Sequence, residues 1–216
     1  YYYTITLNGR LGYNRTFAEK HKVGAFVAYE QSKYKYHTIN AYRTNFLSNK
    51  LMDIFAGSDV PADKDNGGYS DLTTRMNYFG RINYSYMDKY LFEATVRVDG
   101  SMNFAPGHRW GTFPSFSAGW VISDEPFFKP LTKVVNNFKL RGSWGQLGNQ
   151  NIGLYPYQAM ISSVDDYPFT KTSDGVIIGY QQTAYANRNI KWETTTITDI
   201  GFDLQVFDGL SVTFDW

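Results

Sequence analysis

Four carboxylates in this sequence sit where acid–base chemistry is conceivable. Glu93, Asp99, Asp199 and Asp203 share strand faces with Arg81, Arg97, Lys139 and Arg141. Two carboxylates held at a fixed separation are the equipment of a glycoside hydrolase. Arginines and lysine interleaved with acids fit ion-pair ladders better, bracing a wall or holding an inserted domain. We assign no catalytic residue.

Binding chemistry is better represented. Tyr42, Phe46, Phe55 and Tyr69 fall in one long polar stretch, and Tyr155, Tyr157, Tyr167, Phe169 and Tyr180 in another. An amphipathic ring stacks on a sugar or peptide while its hydroxyl hydrogen-bonds. As a group these are ligand-contact candidates, although for any single ring packing within its own loop is the simpler role. His108, beside Arg109 and Trp110, either touches ligand or packs its loop. His21, His37 and His108 are too scattered for a metal site. Asp59, Asp63, Asp65 and Gly67 lack both the EF-hand spacing and its closing bidentate Glu. Gly142, Gly145 and Gly148 do not form G-x-G-x-x-G and no helical pattern follows them, so they are expected to ease a bending strand. The sequons at Asn14 and Asn83 lie at a strand end and within a strand and carry no weight. No cofactor is expected.

The elements that must position these residues are strands. Tyr90, Phe92, Ala94, Val96 and Val98 alternate with Glu93, Thr95, Arg97 and Asp99, the period of two of a pleated backbone. The same alternation marks strands near 3–14, 23–36, 73–87, 138–144, 194–207 and 210–216, and Phe116, Ala118, Trp120 and Ile122 define one more. Residues 37–72 and 147–192 read as long loops, and Leu131 to Val135 as a short helical turn. Each strand has one apolar face and one polar or small one. A soluble sheet shows this pattern, and so does a membrane barrel with its apolar side chains toward lipid and a wet lumen.

Composition weighs on that choice. The 216 residues carry a net charge of +1, which offers no basic excess for nucleic acid. There are no cysteines, so disulfides and thiolate metal sites are excluded. Mean hydropathy is −0.41, and no apolar run approaches the roughly 18 residues of a spanning helix. Aromatic content is high: 18 Tyr, 16 Phe and 5 Trp. Tyr and Trp collect where hydrocarbon meets water, as in the girdles of outer-membrane barrels. The connections also sort by length. In an antiparallel meander the tight ones, near 17–22, 87–89 and 207–209, fall at one end and the long ones at the other. Barrels with brief periplasmic turns and long external loops show this asymmetry. Alternation runs on to Trp216, so the chain is expected to be a piece of something larger, ending within a strand.

Four blocks then resemble the SusC/RagA-like TonB-dependent outer-membrane transporters: Met76–Trp120, Asp124–Phe128, Phe138–Gln150 and Asn189–Leu204, in the family's order. The resemblance implies an all-β fold, an antiparallel transmembrane β-barrel segment of about 8 strands from a barrel of about 22, with a plugged lumen. Residues 1–216 would be part of the barrel domain, from its later region, with the plug and the barrel C-terminus outside this chain. It also implies an outer-membrane location in a Gram-negative bacterium, a SusD-like surface lipoprotein as lid, and energy from TonB with ExbB and ExbD through the plug. The ligands would be oligosaccharides or peptides, with no nucleic acid partner. No residue here matches the energy-coupling segments.

On that reading Tyr78, Ile82, Phe92, Val96, Phe116, Trp120, Leu140, Ile200, Phe202 and Leu204 face outer-membrane lipid. The substrate-contact candidates are Tyr42, Phe55, Tyr69, His108, Trp110, Tyr155, Tyr157 and Tyr167. Two rivals remain open at this level. One is a secreted β-sandwich that binds carbohydrate and buries the same apolar faces against each other. The other is an autonomous eight-strand barrel enzyme, which needs edge closure and a convergent catalytic set.

Overall fold

The computed structural model describes the backbone of residues 1–168, 176–207 and 209–216, and the side chains of all of these except 165–168 and 176. Ten strands carry the described chain: β1 (Tyr2–Phe17), β2 (His21–Arg43), β3 (Lys64–Tyr86), β4 (Tyr90–Ser101), β5 (Trp110–Val121), β6 (Val135–Asn149), β7 (Met160–Pro168), β8 (Val176–Ala184), β9 (Glu193–Val206) and β10 (Leu210–Asp215). The helical content of the described residues is a set of short 3-10 turns, among them Ile122–Asp124 and Pro126–Leu131. The helical turn expected at Leu131 to Val135 therefore lies earlier, where Pro126 and Pro130 preset the backbone.

The chain divides into two compact units. The first comprises Tyr1–Thr6 and Ser32–Thr74. Here the loop expected at 37–72 shrinks to residues 44–63, because β2 runs on to Arg43 and β3 begins at Lys64. Turn-prone residues sit in strand because their partners satisfy them. His37 Nδ1 meets Ser70 Oγ at 2.6 Å, and the Tyr36 and Tyr69 rings lie 5.6 Å apart. Gly68 lies so close to Thr38 and Ile39 that a Cβ would collide with their backbone. Close strand approach, not a turn, explains the Gly67–Gly68 pair. The remaining connection is closed by Thr44 N–H donating to Asp63 O at 2.9 Å.

The second unit comprises Leu7–Gln31 and Arg75–Trp216. The main sheet has the order β1-β2-β3-β4-β5-β6-β9-β10, a meander interrupted only between β6 and β9. That connection was expected to be a plain loop over 147–192. It holds β7 and β8 instead, paired antiparallel as a separate hairpin. Its two irregularities, at Met160/Ile161 and Val164/Tyr167, break the period that would have announced it. Tight turns join β1 to β2, β3 to β4 and β9 to β10. Two of them place consecutive non-glycine residues at positive φ: Ala18 and Glu19 at 47° and 57°, Met87 and Asp88 at 51° and 57°. Such turns match the right-handed twist of a hairpin, and here that geometry overrides residue preference.

Register fixes the faces. Ala94 lies opposite Ile82 and Phe116, Trp120 opposite Tyr90 and Leu140, and Leu140 opposite Phe202. The apolar residues of neighbouring strands thus fall in one continuous row, and the charged residues in another on the opposite face. The apolar face is uncovered: Ile82 is 54% exposed and Ile200 59%. A β-sandwich would have buried it. Hydrophobic burial is concentrated at the two rims, at Phe104, Ala105 and Phe113 toward the long loops and at Ile122 and Phe128 toward the tight turns.

Candidate functional site

The polar face of the second unit is a lattice of paired charges. Arg81 meets Glu93 at 3.3 Å and Arg97 meets Asp99 at 3.0 Å. Glu30 accepts from the amides of Asn8 and Asn77, both at 3.2 Å. Two aromatic rings join them. The Arg10 guanidinium lies 4.0 Å over Phe26, Phe26 meets Phe79 edge-on at 6.2 Å, and Arg97 covers Phe79 at 4.9 Å. Ring and guanidinium form an unbroken stack across β1 to β4, held by cation–π attraction. Sequence reading left both phenylalanines unassigned; the signal was an aromatic at the polar parity of its strand.

Arg141 gathers three acids. Its guanidinium reaches Asp215 at 2.6 Å, Asp203 at 3.3 Å and Asp199 at 3.9 Å. Register explains how: Gly201 on β9 lies between Arg141 and Asp215, and Asp199 and Asp203 flank it on the same face. With no side chain at Gly201, the guanidinium spans the intervening strand. A concavity of about 640 Å³ opens beside this cluster, lined by Arg15, Lys22, Asn83, Glu93, Lys139 and Asp199, among others. Glu93, Asp99, Asp199 and Asp203 are each ion-paired to an arginine. Lys139, expected to join the ladder, makes no ion pair among the described residues.

The long-loop rim is a second, buried cluster. Phe104 is 0% exposed and meets the Trp192 ring at 5.1 Å, and Trp192 meets Phe113 edge-on at 5.5 Å. The Trp192 indole donates to Arg109 O at 3.0 Å, and Arg109 Nε donates to Phe104 O at 3.3 Å. The cluster ties the β4–β5 loop to the residues that enter β9. It also corrects the expectation for Gly148, which makes room for a ring: a Cβ there would overlap Phe113. At the tight-turn rim Glu125, 9% exposed, accepts the Tyr90 hydroxyl at 2.7 Å and the Trp120 indole at 3.2 Å, with Lys89 at 3.6 Å. These bonds, Tyr90 first, hold its carboxyl below the usual glutamate range.

The structure distributes the ligand-contact candidates. Tyr42, Phe55 and Tyr69 belong to the first unit and are exposed. Tyr155 and Tyr157 meet edge-on at 6.3 Å, and the Tyr155 hydroxyl contacts Met102 Sδ at 3.8 Å, so these two pack beside the β4–β5 loop. His108 closes a turn of that loop through its N–H to Ala105 O at 2.9 Å. Trp110 stands opposite Gly100 at the end of the apolar row, 6.0 Å from Tyr78, apart from the loop aromatics. The side chain of Tyr167, and Phe169 entirely, lie outside the described residues. All ten residues expected to face lipid fall on the one apolar face.

Comparison with known proteins gives a consistent answer. A family model described as TonB dependent receptor-like, beta-barrel matches residues 1–216. The TonB-dependent receptor SusC of Bacteroides thetaiotaomicron is 39% identical over 153 residues, covering 68% of this chain and 14% of that protein. TonB-dependent receptor P3 of Formosa agariphila is 32% identical over 208 residues, covering 95% of this chain and 20% of that protein. The chain thus spans a fifth or less of these relatives. Among solved structures, the RagAB peptide importer in its closed-closed state superposes with a TM-score of 0.86 at 23% identity, covering 98% of this chain and 23% of that one. Its open-open state gives 0.85. That likeness is one of fold.

Proposed function

This chain belongs to the TonB-dependent receptor-like β-barrel family, and from that premise we propose that it forms part of the wall of an outer-membrane nutrient importer. The apolar face meets lipid and the polar face lines the lumen. One observation carries the reading: along β4 the Tyr90–Trp120 pair and the Gly100–Trp110 pair bracket the apolar row. The ten rises from Tyr90 to Gly100, at about 3.3 Å each and tilted by 35–45°, span about 25 Å of membrane, the height of an outer-membrane apolar band. Tyr90 with Trp120, and Trp110 with Tyr78, then fall at its two aromatic girdles.

The importer works with a SusD-like surface lipoprotein as lid and draws energy from TonB, ExbB and ExbD through a plug carried elsewhere in the protein. The identity to SusC supports this. Its cargo is oligosaccharide or peptide. In the first unit the contact candidates are the exposed rings of Tyr42, Phe55 and Tyr69; in the second they are Tyr155, Tyr157 and His108, while Trp110 belongs to the girdle. The arrangement points to passage of solute and not to chemistry on it, since the polar wall has its acids paired.

The test is membrane fractionation of the full-length protein from its native cells. Recovery in the outer membrane, with heat-modifiable migration and a co-purifying lipoprotein, is the expected result. Recovery as a soluble secreted protein overturns it.

A further inference from the structure

We propose that the β5–β6 connector, residues 122–134, is an interfacial anchor that seats on the anionic phospholipid surface at the tight-turn end of the wall. The proposal rests on the wall reading above and adds a partner to a segment that neither the strands nor the loops account for.

The connector is strapped to the girdle at one point and exposed beyond it. Glu125 holds both Tyr90 and Trp120, so the entry of the segment is fixed at the end of the apolar row. The next residues divide. Phe128 is buried against the apolar row of the sheet, its ring 6.1 Å from Phe138. Phe127 turns outward beside Trp120, at 6.4 Å, and remains 65% exposed. Leu131, at 55%, and Val134 are exposed as well. Three large apolar side chains are thus left exposed in one short segment, the first of them against Trp120 of the apolar row, which marks an interaction surface.

Charge selects the occupant. Glu125 is neutralised locally by Lys89 at 3.6 Å. That leaves Asp124 at the connector's start and Lys129 and Lys133 interleaved with the apolar side chains. Neither lysine is ion-paired among the described residues. Apolar side chains submerged at the acyl boundary, with flexible lysines reaching headgroup phosphates, are the physical pattern of an interfacial segment.

The test is nitroxide depth measurement by electron paramagnetic resonance. The full-length protein, with any native cysteines replaced, is reconstituted in phospholipid vesicles with and without an anionic component. Labels go at Phe127→Cys and, as a second site should that variant fold poorly, Leu131→Cys. Val96→Cys reports mid-wall and Leu47→Cys reports a water-exposed loop. The expected result is an oxygen-to-nickel accessibility ratio at 127 and 131 between the two controls, deeper with anionic lipid. In a Lys129→Glu/Lys133→Glu background that lipid dependence is lost. Loop-like values at 127 and 131, with Val96→Cys still in lipid, overturn the anchor and leave the wall intact. Loop-like values at Val96→Cys overturn the wall, and the anchor with it.

Discussion

Arg141 on β6 meets Asp215 on β10 at 2.6 Å across the intervening strand β9. The contact exists because position 201, between them in register, is glycine. A methyl group there would lie 3.2 Å from the guanidinium carbon and closer still to Asp215. Gly201→Ala is expected to destabilise the wall by about 1–3 kcal/mol through overpacking. Arg141→Lys is also expected to destabilise, since a point-charge ammonium cannot bridge three carboxylates as a planar fork does. Thermal unfolding in detergent measures both, and the double variant should fall short of the sum.

The apolar and polar faces should differ sharply in their tolerance of polar substitution. Val96→Arg is expected to cost about 2–4 kcal/mol in a lipid-facing position near the midplane. The adjacent Thr95→Asn, on the polar face, should be nearly neutral. Equal tolerance in a refolding titration contradicts the assignment of faces.

Phe104→Ala empties the most buried site of the long-loop rim, and a loss of about 3–5 kcal/mol is expected. Because Trp192 packs on Phe104 and bonds to Arg109, limited proteolysis should open the β4–β5 loop before the strands unfold. Simultaneous loss of strands and loop would show that the cluster is not a separate unit of stability.

Acid should loosen the tight-turn rim first. The Tyr90 hydroxyl, then the Trp120 indole, and Lys89 hold the Glu125 carboxyl below its ordinary value of 4.5. A carboxyl lowered in the folded state contributes its full stability above the unfolded value. It loses that contribution as pH falls through the folded one. Thermal stability of the wild type should therefore drop as pH falls from 4.5 toward the lowered value, and Glu125→Gln should flatten that part of the profile.

At the β3–β4 turn Met87 is at φ 51°. Met87→Gly relieves a left-handed conformation that disfavours side chains by about 1–2 kcal/mol, so it should raise stability by roughly 1 kcal/mol. An unchanged melting temperature would mean that contacts of the Met87 side chain offset the strain.

Sequence alone went far in this chain because the barrel wall is a local code. A period of two over Tyr90–Val98 names a strand and both its faces, since alternate side chains must diverge. Connection lengths named the two ends, and the Arg–acid interleaving on one parity named the bracing. What escaped required knowing which strands lie side by side. β2 and β3 extend through turn-like residues such as Gly67 and Gly68 because each supplies the other's hydrogen bonds. The β7–β8 hairpin is hidden by irregular register. Asp215 joins Arg141, and Phe113 claims the space at Gly148, only once pairing places them together. Face and period are properties of a single strand and are written in its own residues. Register is a property of pairs distant in sequence, and only the tertiary structure decides it.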